Sequence, residues 1–193
     1  MDNYETKINQ WFDESVQIIL KSKILVGDII KVANIILNCL ENGNKIIVMG
    51  NGGSAADAQH FVAELVGRYK IERKALSAIS LTTDTSIITA IGNDYSFDQI
   101  FARQCESLVN KNDVIIAIST SGNSENIIQG IRSSKQKGGI IVGLIGNSGG
   151  KIKEQTDISI IIPSNQTPRI QESHRVIMHI LCEIIDEKFV NKN

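Results

Sequence analysis

Over the first 42 residues the apolar positions recur every three or four steps, at Ile18, Ile19, Leu25, Ile29, Val32, Ile36 and Leu40. That spacing predicts helix, and Gly43 supplies a stop. Two helices are therefore expected over residues 1–43, ahead of the main fold. The pattern then changes. KIIVMG (45–50) is a short, unbroken apolar run, as suits a strand buried on both faces. The same unit of apolar run, small-residue turn and helical stretch returns at ALSAISL (75–81), DVIIAIS (113–119), GIIVGLIG (139–146) and DISIIIP (157–163). The last run leads into a long helical stretch beginning near Pro168. Strands alternating with helices predict an α/β fold, a three-layer sandwich whose five-stranded parallel sheet is flanked by helices over residues 44–188. The whole chain, 1–193, reads as one domain. In such open sheets ligands sit beyond the carboxyl ends of the strands, so the turns after the strands carry the interest.

Composition mainly excludes. A hydrophobic content of 42% with two prolines fits a compact chain. The formal net charge of −1 gives no basis for a nucleic-acid surface or an anionic membrane. Cys39, Cys105 and Cys182 are far apart, odd in number and set in helical stretches, which points to reduced structural thiols. The opening MDNYETKINQWFDES lacks the basic start and apolar stretch of a signal peptide, and no apolar run approaches the roughly 20 residues of a membrane span. A cytoplasmic protein is expected.

Two turns are rich in polar groups. In the first, Gly50-x-Gly52-x-x-Ala55 matches the loose dinucleotide fingerprint, which also wants an acidic residue about 20 positions on, at the end of the next strand. Glu72 lies before that strand and Asp84 too far past it, and no Walker loop occurs. A plain phosphate or sugar site fits better. Ser54 and Asp57 resemble a capping box that starts the helix, leaving Asn51, Gly52 and Gly53 to present backbone N–H groups at a positive helix end. The second turn offers Ser119, Thr120, Ser121 and Ser124 around Gly122. Such fixed dipoles can hold a phosphate without a lysine. Both turns also read as ordinary capped turns. Their shared sheet edge favours a ligand. The third, GNSGG (146–150), reads only as a turn.

The titratable groups are fewer. In the helix from Ala55 to about Gly67, Ala58, Phe61, Val62 and Leu65 make the core stripe, and Asp57, His60 and Glu64 form a second row on a face the core does not need. His60 and Glu64, one turn apart, can grip a metal ion or merely solvate a face. In the last helix Ile170, Ile177, Leu181 and Ile184 supply the stripe, with Gln171, Arg175 and His179 as a ridge beside it. Spacing alone does not choose His179 over His174. His174 is expected at the surface, without a role.

Taken together, GNGGSAADAQHFVAEL, AIGNDYSFDQIFARQ, AISTSGNSENI and QESHRVIMHILCEIID resemble the sugar isomerase (SIS) family. More narrowly, they resemble the branch that converts sedoheptulose 7-phosphate to D-glycero-D-manno-heptose 7-phosphate. The resemblance extends to about residue 188 and implies a flavodoxin-like fold and an aldose–ketose isomerase. It also implies a homotetramer with active sites at subunit interfaces, one zinc per subunit, and a heptose destined for surface polysaccharide. Carried over, His60, Glu64, Gln171 and His179 match the zinc-binding positions, and Glu64 and His179 the pair that moves protons. Asn51, Gly52, Gly53, Glu64, Asn93, Asp94, Ser119, Thr120, Ser121, Ser124 and Gln171 match the substrate-contacting set. Two alternatives stay open: a non-catalytic SIS tetramer that binds a replication initiator protein, and an isomerase of another phosphosugar. Retention of all four metal-type residues, and the lack of a helix-turn-helix segment or basic arm, argue against a scaffold or a regulator.

Overall fold

A computed structural model describes residues 3–190. The expected N-terminal helices are α1 (Tyr4–Lys21) and α2 (Val26–Glu41), joined by a 3₁₀ turn. Then come β1 (Ile46–Gly50), α3 (Gly53–Val66), β2 (Ala78–Ser80), α4 (Thr85–Asp94) and α5 (Ala102–Leu108). The chain continues through β3 (Val114–Ser119), α6 (Glu125–Gln136), β4 (Ile140–Ile145), α7 (Gly150–Lys153), β5 (Ile158–Ile161) and α8 (Thr167–Phe189). The strands form one wholly parallel sheet in the order β2-β1-β3-β4-β5.

Side chains alternate across this sheet with a period of two. Ile46, Val48, Val114 and Ile116 face a core shared with α2, α3 and α8. Ile47, Met49, Ile115 and Ala117 face the opposite core, with Cys105 of α5 and Ile127 and Ile131 of α6. Both faces are covered, so the strands carry unbroken apolar runs rather than alternating ones. β2 is shorter than its apolar run, because Leu76 N–H donates to the Leu65 carbonyl at the end of α3 and only three residues pair with β1.

The entry to α3 differs from the expected capping box. Gly52 adopts φ +55° and stands at the N-cap, with no side-chain cap bond. The left-handed glycine turns the chain, so the helix has begun by Gly53 and Ser54 is already inside it. Gly50 is also fixed by space, since a Cβ there would lie 2.5 Å from the Ser54 carbonyl oxygen. Asp57, the supposed box partner, is committed elsewhere.

Candidate active site

The strand order reverses at β1, so the crevice beyond the ends of β1 and β3 is where this architecture places ligands. The glycine turn follows β1 and the serine turn follows β3. The third turn proves to be more than a connection. Asn147 Nδ2 donates to the Thr120 carbonyl at 2.9 Å, and Ile152 N–H donates to the Gly122 carbonyl at 2.9 Å. A Cβ on Gly122, at φ +68°, would come within 2.2 Å of the Gly149 carbonyl oxygen. Residues 146–150 therefore buttress the serine turn from behind.

Within that turn the hydroxyls are unequal. Ser119 is buried, accepts the Gly122 N–H at 3.2 Å and lies 3.2 Å from the Ser124 hydroxyl. That hydroxyl helps to shape the turn. Ser121 is exposed, and Thr120 and Ser124 are half-buried at the mouth of α6, whose first backbone N–H groups open toward the crevice.

The second half of the site is a seam between α3 and α8. The two helices run in the same direction, and their polar rows meet rung by rung. Gln171 lies over Gly53, where a Cβ would stand 2.5 Å from its amide nitrogen. One turn on, Arg175 forms an ion pair with buried Asp57. Next, His179 Nε2 faces His60 Nε2 at 2.9 Å, and Glu64 Oε1 is 3.3 Å from His60 Nε2. Finally, buried Asp186 accepts from Arg73 Nε at 2.8 Å, while the same guanidinium donates to the Leu65 and Glu64 carbonyls. The row Asp57, His60, Glu64 is thus not a solvated face. It is one side of an interhelical contact, which no single-helix periodicity reveals.

This seam brings three of the four metal-type residues together. Gln171 precedes His179 by two turns, about 12 Å along the helix axis, and rests against the glycine turn instead. Among the described residues, no group of three His, Cys, Asp or Glu side chains is arranged to hold a metal ion as it stands. The donor chemistry nevertheless suits zinc. Zn–N bonds of about 2.0 Å put two tetrahedral ligands about 3.3 Å apart, and the two imidazole nitrogens face each other at 2.9 Å. A shift of a few tenths of an ångström would bring that one pair of nitrogens to ligand spacing.

Burial, reinforced by His60 and Arg175 and opposed by Glu64 and Glu183, pushes the His179 imidazole below its ordinary pKa. It is therefore neutral near pH 7, able to accept a proton or to ligate. Tyr69, which sequence reasoning passed over, stacks on His179 with ring centroids 5.4 Å apart and planes 27° from parallel. Its only signal was an aromatic residue in the otherwise hydrophilic RYKIERK connection. Asn93 and Asp94 lie exposed at the end of α4, with Asn93 Nδ2 donating to Asp94 Oδ1 at 2.9 Å. Among the described residues they make no hydrogen bond to the seam. His174 corrects an expectation outright. It is wholly buried against the end of β4, because it continues the core stripe of Ile170 and Ile177 on the same helix.

The SIS domain family profile matches residues 10–146, and the chain belongs to that family. Within it the chain groups with the phosphoheptose isomerases. A phosphoheptose isomerase of Campylobacter jejuni is 50% identical over 94% of this chain and 98% of its own length. One of Helicobacter pylori is 52% identical over 93% and 89%. The solved structure of a phosphoheptose isomerase from Francisella tularensis superposes with a TM-score of 0.93 at 40% identity, covering 96% of this chain and 99% of that one.

Proposed function

We propose that this chain interconverts sedoheptulose 7-phosphate and D-glycero-D-manno-heptose 7-phosphate as an aldose–ketose isomerase. The observation that carries the reading is the convergence of His60, Glu64 and His179 on the α3–α8 seam, in a fold whose serine turn follows β3 at the point where the strand order reverses. The relatives named above are similar over nearly their whole length, which supports the same activity here.

The reaction moves one carbon-bound proton and one oxygen-bound proton. Glu64 takes a proton from C1 of the ketose, an enediol forms, and the proton returns to C2. Neutral His179 passes the hydroxyl proton from O1 toward O2. The serine turn, with the N-terminus of α6, grips the terminal phosphate and so contributes orientation. His60, Glu64 and His179 are the residues that would hold a zinc ion. When bound, that ion supplies charge stabilisation to the enediolate oxygens. His60 and His179 also keep the two helices in register around the reacting carbons.

The working unit is a homotetramer acting in the cytoplasm, its heptose feeding surface polysaccharide. The exposed pair Asn93–Asp94, set beside exposed Tyr95 and Phe97, supports a site completed by a neighbouring copy.

A panel of ketose phosphates, assayed with zinc added or chelated, tests the reading. Turnover is expected for the seven-carbon substrate, and Glu64→Gln and His179→Gln should each lower it by about 10²-fold or more with the fold intact. Full activity in both variants would remove the proposed chemistry. Preference for a shorter sugar phosphate would replace the substrate.

A further inference from the structure

Asn51 follows β1, two residues before α3 begins. Asn126 lies in the first turn of α6, two residues after Ser124. Their side-chain amides meet across the crevice. Asn51 Nδ2 donates to Asn126 Oδ1 at 2.8 Å, and Asn126 Nδ2 donates back to Asn51 Oδ1 at 2.9 Å. The Ile127 backbone N–H also donates to Asn126 Oδ1 at 2.9 Å. A backbone donor must face an oxygen, which fixes the orientation of the Asn126 amide and, through it, that of Asn51. Asn126 is only 3% exposed, so the pair is shielded from competing water on one side.

This pair links the two halves of the site at one defined spacing. On the Asn51 side begins α3, which carries His60 and Glu64. On the Asn126 side begins α6, behind the serine turn. The pair uses one donor and one acceptor of the Asn51 amide, so whatever else that side chain touches, it also fixes where the glycine turn sits. We propose that Asn51 and Asn126 form a positioning latch for the isomerisation. The latch sets the span between the phosphate-holding turn and the proton-moving groups of the seam. Asn126 is then a positioning residue, in contact with neither reacting carbon nor phosphate. The inference rests on the isomerase reading above.

Positioning separates from mere structural support in the kinetics. A sugar phosphate must satisfy both halves of the site, whereas inorganic phosphate needs only the serine turn. Asn126→Ala should therefore lower kcat about 10-fold or more while inhibition by inorganic phosphate stays within about twofold. Asn51→Asp can still accept from Asn126 Nδ2 but cannot donate back, so its loss should fall between those of the unaltered chain and Asn51→Ala. The double variant Asn51→Ala/Asn126→Ala should be no slower than the worse single one, since both remove the same latch. Melting curves report whether each variant is folded. If Asn126→Ala fails to fold, the graded Asn51 series, made from the half-buried side of the pair, still decides. An unchanged kcat, multiplicative losses, or phosphate inhibition weakened as much as kcat would overturn the latch. Absence of turnover in the unaltered chain would overturn the isomerase reading and the latch with it.

Discussion

His174 shows how much one buried side chain can say about acid sensitivity. Burial pushes its pKa down to about 4, and the nearby Ile145 carbonyl opposes this only in part. Neither ring nitrogen completes a hydrogen bond among the described residues. In the folded protein the ring stays neutral down to about pH 4, while in the unfolded chain it protonates near the ordinary value of about 6.5. Between those values the unfolded state binds the extra proton, so stability is fully present above about pH 6.5 and falls toward about pH 4. We expect urea midpoints to decline through that window, and His174→Leu to flatten the decline. An equally steep fall in the variant would place the titration elsewhere. The cysteines behave as expected at this scale. Burial raises Cys39 and Cys105 to about 11 and Cys182 to about 12, and all three are free and unreactive as thiols in the fold.

Among the elements, the α3–α8 seam is the unit to test. Its far end is closed by Asp186, which accepts from the Lys70 and Ile71 backbone N–H groups and from Arg73. Burial alone would raise the Asp186 pKa, but these bonds outweigh it and hold the carboxyl below its usual range. The bonds hold only the ionised form, so their contribution is present above the ordinary carboxylate value of about 3.9 and lost as pH falls through the depressed one. Because Arg73 and Asp186 are 1% and 2% exposed, removing one partner leaves an uncompensated buried charge. Asp186→Asn should cost about 3–5 kcal/mol in denaturant unfolding at pH 7. A loss below about 1 kcal/mol would show the pair to be as dispensable as a surface ion pair. Just before β1 and β3, Lys45 and Asp113 make a similar tie, with Nζ 2.5 Å from the carboxylate.

For the whole molecule, the informative feature is what one chain leaves uncovered. The 18-residue helix α1 has no buried residue, yet Tyr4, Ile8, Trp11, Phe12, Val16 and Leu20 recur along it at helical spacing and are exposed. An apolar stripe of that length facing water marks an interaction surface. In the homotetramer proposed above, other copies of the chain cover it. Sedimentation should then give four times the 21.2 kDa of the chain, and Trp11→Glu with Phe12→Glu should shift it toward smaller species and lower activity together. A monomer with full turnover would rule out a shared site.

The linear pattern determined the order of elements, the parallel sheet and the edge on which chemistry gathers. Strand and helix periods are local properties, and a small-residue turn after an apolar run announces itself. The pattern also singled out His60 and Glu64 as a pair, because one helical turn suffices to join them. Only the tertiary structure decided which residues meet across elements. It set His179 against His60 and Arg175 against Asp57, buried His174, and joined Asn51 to Asn126 over 75 positions of sequence. Such contacts depend on how two helices and two loops are placed against the sheet, and that placement is fixed by packing in three dimensions rather than by any spacing along the chain.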